Sequence, residues 1–262
     1  MNWAKIDKYN EERGRKLSFT GAELAQSFLD HLSECAAAGK DVRRIVWGND
    51  EIDKRVRTCP GDFIVYADEG ANLPEHFTAE AVYLAMQGYK TAVFVNRWDA
   101  FTTAANVLSK LSRVPAKTIT NGEFTEEKWR LFVSDGCETL DATPITFHFG
   151  RWTSDEIADA VMEDGADAIF IDDIDAVSDY DGYASENGRH NAIARDLFRL
   201  SRTLDVLVET AVQMPDIPNT DYAKMFLEVE ILGELADIVL IPDYASDFKY
   251  AYPIKSRRGF LE

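Results

Sequence analysis

The sequence predicts an α/β domain, a mostly parallel sheet flanked by helices and preceded by a helical arm. Two observations carry this expectation. From Gly61 onward, short and nearly continuous apolar runs alternate with amphipathic stretches, the pattern of strands buried on both faces and joined by crossover helices. Hydrophobic residues make up 46% of the 262, with 11% aromatic, enough to form the core that such a sheet needs.

The chain opens with a polar leader. "TGAELAQSFLDHLSECAAAGK" then predicts a helix over about 20–38. Thr20 and Glu23 have capping-box spacing, Leu24, Phe28, Leu32 and Cys35 recur on one face, and Gly39 ends it. This helix lies outside the alternation, so it packs on the domain edge or on a neighbouring subunit. We group 1–42 as the arm and 43–262 as the domain. A polar segment containing Ile45, Val46 and Trp47 leads to the turn Pro60-Gly61. The strands that follow are "FIVYA", "TAVFV", "PITFHF", "DAIFIDD", "VLVETAV" and "ADIVLIP". Helical stretches lie between them: "TAEAVYLAMQG", "DAFTTAANVLSKL", "TEEKWRLFVSDG", "TSDEIADAVMEDG" and "GRHNAIARDLFRLSRTL". The tail "DFKYAYPIKSRRGF" alternates aromatics and reads as an edge strand or hairpin.

Charge narrows the function classes. Residues 1–60 carry 11 Lys+Arg against 10 Asp+Glu, a net of +1, so the other 202 hold −19 of the total −18. An acidic body of that size repels a nucleic-acid backbone, so no strong nucleic-acid binding is expected; the plainer use of such charge is solubility. No apolar run reaches the ~18–20 residues that span a bilayer, and the charged N-terminal stretch lacks a signal core. No membrane association is expected, and the expected location is the cytoplasm. Cys35, Cys59 and Cys137 are odd in number, far apart and without C-x-x-C spacing, which reads as reduced thiols rather than a disulfide frame or zinc site. His31, His76, His148 and His190 show no ligand spacing, and none is assigned to a metal.

Seven stretches, "CPGDFIVYA", "GYKTAVFV", "TITNGEFTEEKWRLF", "TSDEIADAVMEDGADAIFIDDID", "LDVLVETAVQM", "GELADIVLIPD" and "PIKSRRG", follow in order. Together they resemble the C-terminal, RecA-like motor domain of DnaB-type replicative helicases over about 43–262. The helix at 20–38 resembles that family's linker helix. The resemblance implies a RecA-like fold and, in the family, a hexameric ring that hydrolyses nucleotide between subunits and moves on single-stranded DNA.

The motif positions depart from that family. In the phosphate loop G-x-x-x-x-G-K-[ST], backbone N–H groups cradle phosphate, lysine reaches the β/γ oxygens and a hydroxyl holds magnesium. Counted from "PGD", those last three positions fall on Leu73, Pro74 and Glu75. Leucine resists the positive φ such loops use, and proline removes a charge and a donor. Residues 58–89 contain no Lys or Arg, while Asp62, Asp68, Glu69, Glu75 and Glu80 are all present. One uncompensated like-charge contact at ~4 Å costs about 4 kcal/mol at an effective dielectric of 20, roughly a thousandfold in affinity.

At the end of the second strand the family holds a catalytic glutamate. Here Arg97 stands in its place, unable to act as a base near neutral pH; the plainer role is pairing with one of the many acids. Asp172 matches the family's magnesium-holding acid, with Asp173 and Asp175 beside it, so weak cation binding and a solvent-facing strand tip both stay open. Gln213 matches the sensor glutamine. Lys255 and Arg257 keep the K-x-R spacing that the family uses to reach a neighbour's γ-phosphate, or they form a basic end on an edge strand. Asp179, Asp181, Asp216 and Asp221 occupy loops where phosphate tracking needs Lys or Arg, with Arg189 and His190 the nearby bases.

Three functions follow from the resemblance. The first is a catalytically inactive helicase paralogue that binds no nucleotide cofactor. It would act as a protein-binding component of replication or recombination, with a replicative helicase or itself as partner. The second is a diverged ATPase or helicase using ATP and magnesium through a noncanonical loop. The third is an acidic decoy of a DNA-binding protein.

Overall fold

The computed structural model describes residues 1–16, 18–47, 53, 56–68, 73–178, 182, 185–213, 235–242 and 251–256. Along the chain run α1 (Trp3–Glu12), α2 (Gly21–Ala38), β1 (Phe63–Asp68), α3 (Leu73–Met86), β2 (Thr91–Val95), α4 (Ala100–Ser112) and α5 (Ala116–Asn121). Next come α6 (Glu126–Leu131), a π-helical stretch Phe132–Cys137 and α7 (Glu138–Asp141), then β3 (Ile145–Phe149), α8 (Ser154–Asp164) and β4 (Ala168–Ile171). A 3-10 turn (Ile174–Ala176), α9 (Glu186–Leu204), β5 (Leu207–Gln213), β6 (Ile238–Pro242) and β7 (Ala251–Ser256) complete the described elements.

The described strands form one sheet in the order β3-β2-β4-β5-β1-β6-β7. All pairings are parallel except β6 with β7. All six strands read from the sequence are therefore present, and the aromatic tail supplies an antiparallel seventh. The reason the strands read as continuous apolar runs is visible in their two faces. Phe63, Val65 and Ala67 join one core cluster with Ile157, Val161, Ile193 and Leu197 of α8 and α9. Ile64 and Tyr66 join the other with Phe77, Ala81 and Leu84 of α3. Successive side chains point to opposite faces, and here each face is covered.

Phe170, in the middle of β4, is fully buried. It meets Phe77 edge-on at 5.3 Å and Trp47 edge-on at 6.0 Å. Its removal leaves three elements facing a void, so Phe170→Ala is expected to cost about 3–5 kcal/mol, measured as a shift in the urea unfolding midpoint at unchanged slope.

Local signals set the helix ends. The Thr20–Glu23 capping box forms, with Thr20 N–H donating to Glu23 Oε2 at 2.8 Å and Glu23 N–H to Thr20 Oγ1 at 3.3 Å. Gly61 turns at φ 83°, and a Cβ there would meet Asp205 Oδ1 at 3.3 Å, so the Pro60-Gly61 turn requires its glycine.

Two helices differ from the sequence reading. The leader, read as unstructured, contains α1, which sits on the body: Ile6 is buried in the core, Asn10 Nδ2 donates to the Thr203 carbonyl at 2.9 Å, and the Arg199 guanidinium lies 3.8 Å over the Trp3 ring. The grouping of 1–42 as one arm is corrected to that extent. Meanwhile α3 starts at Leu73, five residues before the helix expected from "TAEAVYLAMQG". Proline is tolerated in a first helical turn because its missing N–H has no partner there anyway.

Among the described residues, no helix is long and apolar enough to cross a membrane.

Candidate functional site

Parallel pairing brings the carboxyl ends of β1, β2, β4, β5 and β6 to one edge of the sheet, where open α/β sheets place ligands. Asp172 follows β4 at this edge. It is buried, and both of its carboxylate oxygens are already engaged: Asn96 N–H donates to Oδ1 at 2.9 Å and Arg97 N–H to Oδ2 at 3.1 Å. Burial pushes its carboxyl up to about 6, against the pull of those two N–H groups.

The neighbouring acids are answered as well. Arg97 Nε lies 3.2 Å from Asp173 Oδ2, with the two side chains 19% and 13% exposed. That is close enough for charge pairing, although Nε is not aligned for a hydrogen bond. Arg97 thus takes the plainer of its two readings. Asp175 Oδ1 is held by the Arg189 guanidinium and by His190 Nε2 at 2.7 Å. The hydrogen bond from His190 lowers the Asp175 carboxyl despite its partial burial, with Arg189 and Arg97 adding to the effect. Arg189 and His190, read as bases for a nucleic-acid loop, serve this acid instead.

The other predicted positions are distributed as follows. Leu73, Pro74 and Glu75 form the first turn of α3 directly after the β1–α3 loop. Proline there deletes one of the four free N–H groups that a helix start offers to an anion. Gln213 ends β5, opposite Asp68 of β1, so its backbone is at the same edge as Asp172. Lys255, on β7, pairs with Val239 near the start of β6. Because β7 runs antiparallel, Lys255 stands toward the opposite edge of the sheet. Arg257, Asp179, Asp181, Asp216 and Asp221 lie outside the described residues.

Glu80, read as one of the acids around a phosphate seat, is placed differently. It lies two turns into α3, facing Glu209 of β5. The Glu80 oxygen Oε2 and both Glu209 oxygens are buried with no donor among the described residues, so a proton retained between the two carboxyls is what joins them. Burial raises Glu80 to about 7; burial and then the Glu80 charge raise Glu209 well above the ordinary carboxylate range.

The arm helix α2 is the second candidate surface. None of its eighteen residues is buried; Leu24 and Phe28 are each 60% exposed and Leu32 46%. Within this chain it does not pack on the domain edge, the first of the two placements expected for it. At its far end the sequence reading is also corrected. His31 and Cys35 share one face of α2, and Asp41 returns to meet them after Gly39 turns the chain at φ 64°. The His31–Cys35 spacing of four was a visible signal; the carboxylate beyond the glycine was not. Burial favours the neutral form of Asp41, but the Arg43 N–H and the Arg57 guanidinium outweigh it and hold the carboxyl below its usual range.

No family model and no curated protein sequence matches the chain. Solved structures do match. The fold resembles the ATPase domain of a DnaB-like helicase with a TM-score of 0.79 at 15% identity, covering 92% of this chain and 93% of that one. It also resembles the protein of "The Structure Of A DnaB-Like Replicative Helicase And Its Interactions With Primase", with a TM-score of 0.69 at 14% identity, covering 98% of this chain and 67% of that one. At such identity the likeness is one of fold. The chain has a RecA-like α/β fold of the kind found in DnaB-type ATPase domains.

Proposed function

We propose that this chain is a catalytically inactive relative of the DnaB-type helicase motor, acting as a protein-binding or regulatory component of DNA replication or recombination. The observation that carries the reading is the internal neutralisation of the β4 tip. Asp172, Asp173 and Asp175 each have partners within the chain, and the central cation is Arg97, at the position where the resemblance expects a general base. Groups that would serve magnesium and water in an ATPase are engaged in holding the fold together.

The exposed apolar face of α2 supports a docking role, since Leu24, Phe28 and Leu32 lie on one helical face without a partner in this chain. The partner is a replicative helicase or a second copy of this chain. The placement of Lys255 away from the chain's own Asp172 edge favours a role toward a neighbour.

Solution mass, measured alone and after mixing with a DnaB-type helicase, tests this. The expected result is a self-assembled species or a mixed complex. A Phe28→Glu, Leu32→Glu double variant is expected to lose it while retaining stability, because substitutions at exposed positions usually change stability by no more than about 0.5 kcal/mol each. A strict monomer indifferent to the helicase would contradict the proposal.

A further inference from the structure

We propose that His31, Cys35 and Asp41 form a site for one divalent transition metal, with zinc the best match, clamping the last turn of α2 to the segment after it. Among the described residues these three are the group of ligand-type side chains that converge within metal-binding distance.

The geometry is close to that of a bound ion. Cys35 Sγ lies 3.5 Å from His31 Nε2 and 3.9 Å from Asp41 Oδ1, and His31 Nε2 lies 3.7 Å from Asp41 Oδ1. A tetrahedral zinc with bonds of ~2.3 Å to sulfur and ~2.1 Å to nitrogen and oxygen sets its ligands roughly 3.4–3.6 Å apart. The three atoms need to close by a few tenths of an ångström at most. His31 and Cys35 are fixed one turn apart on the helix, and Asp41 is oriented by what surrounds it: Arg43 N–H donates to Oδ1 at 3.0 Å and Arg57 holds Oδ2. Supporting contacts of this kind orient metal ligands.

The chemistry selects the ion class. One sulfur, one imidazole and one carboxylate suit zinc and its borderline-soft neighbours, and disfavour magnesium and calcium, which take oxygen ligands. Thiolate and carboxylate together balance a 2+ charge. The two arginines beside the cavity do not compete with the ion for these ligands. Arg57 is taken up by the far oxygen of Asp41, and Arg44 donates to the Asp53 carbonyl. The cluster opens into a cavity of about 490 Å³ that is also lined by Phe28 and Leu32. The fourth coordination position therefore faces space that water or an incoming ligand can fill.

The test uses the full chain, stripped with chelator and then titrated with Zn²⁺ or Co²⁺ under reducing conditions. One ion per chain is expected, and the cobalt form should show a thiolate-to-metal absorption band together with tetrahedral visible bands. Cys35→Ser should abolish the thiolate band, His31→Ala and Asp41→Asn should each weaken binding at least tenfold, and Cys137→Ser should change nothing. Circular dichroism of each variant separates ligand loss from misfolding. No uptake by the folded chain, a cobalt spectrum without the thiolate band, or undiminished binding by a folded Cys35→Ser variant would each overturn the proposal.

Discussion

Replacing Glu209 by glutamine is expected to flatten the pH dependence of stability above about pH 4.5 and to make the protein more stable than the wild type at pH 8. Glu209 sits in the middle of β5, between Phe170 of β4 and Ile64 of β1, and is fully buried. Its partner Glu80 approaches from α3, and both carboxyls are raised. Below pH 4.5 the folded and unfolded chains both keep these protons, and the pair carries no penalty. As pH rises, the unfolded chain releases them while the folded chain retains them. Stability is then lost through about pH 7 for Glu80 and higher for Glu209. A shift from 4.5 to about 7 corresponds to on the order of 3 kcal/mol. In the Glu209→Gln variant, an amide N–H donates to the Glu80 carboxylate and no proton must be held. Urea unfolding of both proteins at pH 5, 6, 7 and 8 measures this. Parallel curves for the two would show that the pair does not share a proton.

The second large effect concerns Arg97→Glu, which restores the residue type that the helicase resemblance expects. In a diverged ATPase the change supplies a general base and raises hydrolysis. In the present account it removes the cation from Asp173 and adds a carboxylate beside two others. Removing one member of a largely buried pair costs about 3–5 kcal/mol. A lower unfolding midpoint with no phosphate release is expected, and Arg97→Lys should recover most of the stability. Phosphate release by a stable Arg97→Glu protein would support the ATPase reading instead.

The architecture was largely legible in the sequence because burial on both faces writes each strand as an unbroken apolar run, as in "TAVFV", where every residue is buried. Helix α1 was not legible. It holds itself to the body with a single fully buried aliphatic residue, Ile6, a buried Asn10 and an aromatic–guanidinium contact, which leave no amphipathic stripe. The start of α3 was obscured by Leu73-Pro74, which reads as loop until proline's tolerance for a first turn is considered. At the tip of β4, pairing of Arg97 with an acid was foreseeable from the local excess of carboxylates, but not that three acids would each find a separate partner. Glu80 and Glu209 are far apart in the chain and meet only because α3 covers β5. Sequence spacing therefore held no hint of the pair.

The central claim is that the former phosphate edge of this fold holds itself together and no longer holds a nucleotide. Thermal unfolding with and without millimolar ATP and magnesium tests it most directly. The account predicts superimposable transitions. A nucleotide present at 100 times its dissociation constant would add about 2.7 kcal/mol, an upward shift of roughly 5–10 °C for a domain of this size, and that shift would contradict it.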